Sequence, residues 1–119
     1  MNRDFYTGFE GEPEIAIEHQ PPGGSSSSIR TWVGFFDELM EKLEPGPEGW
    51  TGIAAHHHLH AGWNSEESWQ DPDVADTRRQ IGIPGESSLK GQARDLRSVF
   101  IELLDDALRV GGRVILRGQ

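Results

Sequence analysis

A chain of 119 residues with 34% hydrophobic residues, no cysteine and a formal net charge of −9 has room for one core rather than two. The absent thiols exclude disulfide staples, thiolate catalysis and cysteine zinc sites, and the negative field disfavours nucleic acid and anionic membranes as direct partners. No apolar run approaches a membrane span and the first residues, Met1-Asn2-Arg3-Asp4, lack a signal peptide's apolar stretch, so the expectation is a soluble, cytoplasmic, single domain over 1–119.

Four Trp and five Phe bury large areas per residue, so few apolar side chains can still close a core. The charge is lopsided: residues 1–76 hold fifteen acids against three bases, and residues 77–119 hold five acids against eight bases. An acidic front of this kind draws in a basic partner.

In chain order, Glu14-Ile15-Ala16-Ile17-Glu18-His19 alternates apolar and polar positions, which predicts a half-buried first strand. The residues ahead of it are too few to form a core of their own. Residues 20–28, Gln-Pro-Pro-Gly-Gly-Ser-Ser-Ser-Ser, read as a flexible surface loop inside the domain. With Ser28 as N-cap, Ile29, Trp32, Val33, Phe36, Leu39, Met40 and Leu43 recur at helical spacing and predict an amphipathic helix that Pro45-Gly46-Pro47 ends. Trp32 and Phe36 are assigned to its core stripe.

Trp50 to Trp63 carries a strand pattern, with Ile53, Ala55, His57, Leu59 and Ala61 on one face and Thr51, Ala54, His56, His58 and His60 on the other. Residues 62–76 are acidic and hold Trp63 and Trp69, the pattern of a loop with at most a helical turn. A second amphipathic helix is expected from the Ser87-Ser88 cap to Val110, carrying Leu89, Ala93, Leu96, Val99, Phe100, Leu103, Leu104, Ala107 and Leu108 inward. Arg94, Arg97, Glu102 and Asp105 are placed outward, Gly111-Gly112 stop the helix, and Arg113 to Arg117 supply a terminal strand. The resulting order of strand, helix, strand, helix, strand indicates an α/β or α+β fold with two amphipathic helices on a small sheet.

Candidate chemistry concentrates at His56-His57-His58-Leu59-His60. On a strand, same-face neighbours lie about 6.6 Å apart and outer positions about 13 Å apart, so one ion could take two of these imidazoles and would need a ligand from elsewhere. A metal-binding or metal-dependent enzyme reading therefore uses His58 and His60 with His19 or Glu66, holding zinc or another divalent transition metal. Gly52, His58, His60 and Glu66 are also similar to the first half of the cupin metal motif. The gap to the glutamate is longer, no glycine follows it and no third histidine lies downstream, and two amphipathic helices do not suit an all-β barrel.

The alternative for the histidines is structural: imidazoles that face solvent, stack on Trp50, Trp63 or Trp69, or bond to nearby acids. No serine sits in a nucleophile elbow and no glycine pair precedes the lysine of a phosphate loop.

The other constellation is the stretch from Gly62 to Asp73, where two tryptophans stand among carboxylates. Tryptophan anchors interfaces, and carboxylates around it suit a basic cleft. The sequence thus favours an acidic, non-enzymatic protein-binding module without cofactor. It is similar in size, charge and α/β pattern to bacterial immunity proteins or antitoxins that inhibit a toxin or nuclease. Trp63, Glu66, Glu67, Trp69, Asp71 and Asp73 are the expected contact residues, with His56 beside them.

Overall fold

The computed structural model describes residues 2–59 and 68–118. They form a small α+β domain in which a five-stranded mixed sheet carries two amphipathic helices, as expected. Strands β1 (Asn2–Phe5), β2 (Glu14–Gln20), β3 (Ser27–Trp32), β4 (Ser68–Gln70) and β5 (Arg113–Gly118) lie in the order β1-β3-β2-β5-β4. All neighbours are antiparallel except β1 and β3. Helices α1 (Val33–Glu41), α2 (Gly52–Leu59), α3 (Val74–Gly82) and α4 (Gly91–Val110) complete it, with a single 3-10 turn at Glu86–Ser88 ahead of α4.

The alternation read in β2 sorts its two faces. Ile15, Ile17 and His19 are buried, while Glu14, Ala16, Glu18 and Gln20 lie half-buried on the opposite side. Val114 and Leu116 of β5 and Ile29 and Thr31 of β3 extend the same inward face. Against it packs α4, which begins at Gly91 rather than at the Ser87-Ser88 cap; its stripe is buried from Ala93 to Ala107, Leu89 ahead of it is buried too, and only Leu108 stands out, 49% exposed. Alongside, α1 contributes Phe36, Leu39 and Met40 to the core. The helical period of about 3.6 residues and the strand period of about two thus meet in one apolar layer.

Four segments differ from the sequence-based expectation. The stretch 27–32 is a strand, so the helix begins at Val33 rather than Ile29 and the loop ends at residue 26. Ile29 and Trp32 satisfy a helical spacing, yet β-branched Ile29 and Thr31 also alternate, and hairpin pairing with β2 from Glu14↔Trp32 to His19↔Ser27 decides the case. Asn2–Phe5 is an edge strand with only Phe5 buried, so it offers no alternating apolar pattern.

The expected middle strand is a helix: consecutive Ile53 and Ala54 are both buried. Neighbours on a strand face opposite sides, whereas neighbours on a helix lie about 100° apart and can share a face. Within 62–76, residues 68–70 form a strand and α3 starts at Val74, capped by the Asp73 carboxylate accepting from the Asp76 amide at 3.1 Å. Arg97, expected outward on α4, is buried and donates to the Gly82 carbonyl at 3.2 Å.

Close backbone approach explains the join of α4 to β5. A side chain at Gly112, whose φ is +102°, would meet the Gln20 carbonyl at 2.2 Å and Pro21 at 2.7 Å, so only glycine lets the turn lie against the end of β2.

Candidate functional site

Helix α2 turns its histidines toward β4, toward α1 and toward Trp50 in the segment ahead of it. Successive positions step by about 100° around a helix, so His56, His57 and His58 cannot share one face as i, i+2 strand positions would. The His56 ring stacks on Trp69 of β4 with centroids 4.9 Å apart. His57 packs edge-on against Phe36 of α1, with its Nε2 3.9 Å from the Asp37 carboxylate. His58 stacks on Trp50 at 4.2 Å and its Nε2 lies 3.2 Å from the Met40 carbonyl. A carbonyl only accepts, so that nitrogen carries a proton and donates.

Electrostatics follow from this packing. Burial pushes the His57 imidazole below its usual value, and the Asp37 charge opposes it. Burial likewise raises the Asp37 carboxyl, against the lowering effect of His57. At 3.9 Å the two do not make a close ion pair, and desolvation outweighs their attraction.

The metal reading required His58, His60 and either His19 or Glu66. Of these, His19 is buried on the inward face of β2, its Nε2 donating to the Gly111 carbonyl at 2.9 Å, and His58 is engaged by Trp50 and Met40. His60 and Glu66 lie outside the described residues. Among the described residues, no three His, Cys, Asp or Glu side chains are placed to hold a metal ion. The contacts made by His56 and His58 are those of the structural alternative: stacking on tryptophan.

The expected contact residues divide. Trp63, Glu66 and Glu67 lie outside the described residues. Trp69 is half-buried beneath His56, which puts the histidine helix beside the end of the acidic segment. Asp73 is exposed and acts as the α3 N-cap.

Asp71 is buried, with one oxygen accepting from the Asp73 amide at 3.0 Å and the other without a well-formed hydrogen bond among the described residues. Its carboxylate cannot be offered to a partner's surface. Burial pushes this carboxyl up, only partly offset by the neighbouring Thr77 hydroxyl. Asp76 goes the other way: burial would raise it, but bonds from Arg79 and Gln80 hold it low.

A second acidic and aromatic surface, built by the β1–β2 loop and the head of α1, was not singled out in the sequence. Trp32 is half-buried rather than in the core; its indole lies flat on Gly34, where an added Cβ would stand 2.4 Å from the ring. Phe9 stacks on Trp32, with centroids 4.4 Å apart and planes 6° from parallel, and Phe35 sets its edge against both.

The loop is tied down locally. The Asp4 carboxylate accepts from the Tyr6 amide at 2.7 Å and from the Thr7 amide and hydroxyl, and the Tyr6 hydroxyl donates to the Glu12 carbonyl at 2.5 Å. Arg30 donates to Glu14 at 2.8 Å while its guanidinium sits 4.9 Å over the Tyr6 ring. Asp4, Glu10 and Glu12 are exposed on and beside the loop, and Glu38, Glu41 and Glu44 are exposed on α1 and just beyond it, where Glu38 and Glu41 share a groove with Lys42 and Lys90. The signal was present: Tyr6 and Phe9 stand among acids with glycine and proline punctuation, the same composition as residues 62–73.

No protein family, curated protein or solved structure matches this chain.

Proposed function

We propose that this chain is a non-enzymatic, acidic protein-binding module that engages a basic protein, in the manner of an immunity protein covering a toxin's cationic cleft. The observation that carries this reading is the half-exposed Phe9–Trp32–Phe35 ring cluster, set on a loop that also carries exposed Glu10 and Glu12 and at the head of a helix that carries exposed Glu38 and Glu41. Apolar rings left partly in water are costly, and they are the side chains that anchor interfaces. Carboxylates at their rim steer a cationic partner and reject an anionic one.

The test is untagged purification of the chain and of a Glu38→Lys/Glu41→Lys/Glu44→Lys variant from native lysate, over a salt series. A basic protein should co-purify with the unaltered chain, with retention that falls as salt rises, and the triple variant should lose it while remaining folded. Equal capture by both, or the absence of any basic partner, would overturn the reading.

A further inference from the structure

Arg97 of α4 is a charge without a counter-charge. The residue is only 8% exposed, its Nη2 donates to the Gly82 carbonyl at 3.2 Å, and its Nε is sealed in with no acceptor. No carboxylate among the described residues pairs with it. An arginine stays cationic inside a protein, and a buried charge with no partner is costly. The carbonyl end of α3 answers it only in part, with roughly half a unit of negative charge.

Arg78 of α3 comes to the same place. A Cβ at Gly82 would stand 2.6 Å from its Nη1, so the absence of a side chain there lets this guanidinium lie across the end of the helix. Asp105 engages Arg78 through Nε alone, at 2.7 Å, and neither Nη group bonds to a described residue. Two guanidinium groups thus flank Gly82 and share one carboxylate between them. Their open donors are both Nη groups of Arg78 and the Nη1 of Arg97, which is not sealed in as Nε is.

We infer that the turn at Gly82 is an oxyanion site that takes a phosphoryl group between Arg78 and Arg97. Guanidinium groups bond oxyanions through a planar fork of N–H donors. A phosphoryl group brings three acceptor oxygens and up to about two charges, enough to engage both forks at once. A carboxylate brings one planar face and a single charge. The site lies in the cationic part of the chain, where residues 77–119 hold eight bases against five acids. It draws on none of the residues used by the basic-partner reading, so neither depends on the other.

The test is a titration of the full chain with inorganic phosphate replacing chloride at constant ionic strength, with acetate as the carboxylate arm, followed by NMR at the arginine Nε–H and Gly82 amide signals. Phosphate should give saturable shifts at Arg78, Arg97 and Gly82 and bind at least about threefold more tightly than acetate. Arg78→Gln should weaken it about threefold or more. Gly82→Ala should do the same while leaving both charges in place, because the added methyl displaces the Arg78 guanidinium. Arg78 is 33% exposed and alanine suits a helix, so both variants keep the fold.

A capped phosphoserine probe separates the two sources of the group. Tighter binding than inorganic phosphate assigns the site to a phosphorylated side chain of a partner, and weaker binding assigns it to free phosphate. The absence of a saturable shift at these residues, equal affinity for acetate and phosphate, or unchanged phosphate binding in Arg78→Gln would overturn the inference.

Discussion

Asp71 shows how one carboxylate can serve local structure at a cost to the whole. Its accepted bond from the Asp73 amide shapes the turn into α3, yet its second oxygen is buried with no well-formed hydrogen bond among the described residues, the Thr77 hydroxyl nearby easing its charge only in part. With its carboxyl raised by burial, the native state holds this proton more tightly than the unfolded chain does. Ionisation therefore subtracts stability at neutral pH, and the penalty fades as pH falls toward the unfolded value of about 3.9. Asp71→Asn keeps the turn bond and removes the buried charge. It should raise stability by about 1 kcal/mol at pH 7, with the gain vanishing near pH 4 in urea melts. A loss at pH 7 would mean that the orphan oxygen is satisfied in solution.

At the scale of elements, α2 is held at its start by Thr51, whose carbonyl accepts from the Gln80 amide at 3.0 Å, and by buried Ile53 and Ala54. Its other end is attached by imidazole rings. The His57 value is depressed by burial, so the unfolded chain takes up this proton more readily as pH drops below about 6.5. Stability from His57 is thus complete above that pH and is lost as pH falls through the lower native value. Denaturant midpoints measured from pH 7.5 to 5 should decline, and His57→Gln should flatten the slope over that window. An identical slope in the variant would place the acid sensitivity elsewhere. Gly34 has a comparable role for α1, because it gives the Trp32 indole a flat seat and through it positions Phe9.

For the molecule as a whole, a net charge of −9 means that the isolated protein repels itself. The surface pairs Arg78–Asp105 and Arg109–Asp106 contribute little individually, so screening should relieve repulsion more than it weakens attraction. Raising sodium chloride from low to physiological strength should stabilise the free chain by about 0.5 kcal/mol, roughly 2–4 °C in Tm. The same salt should loosen the proposed complex with a basic partner. A Tm that falls with salt would show that the surface pairs outweigh the repulsion.

Sequence alone determined the α+β class, β2, the stripe of α4 and the stop at Gly111, because each rests on an unbroken apolar period over enough residues for local pattern and burial to agree. It also determined the acidic front. Only the tertiary structure decided β3, since residues 29–32 satisfy helical and strand spacing equally until β2 pairs with them. It likewise decided α2, where alanine and histidine carry too weak an apolar signal to set the period and contact with α3 and α1 sets it instead. The grouping of Phe9, Trp32 and Phe35 joins residues up to 26 positions apart. No local period encodes that meeting; it arises when β1 and β2 bracket β3 and the loop between them folds onto the head of α1.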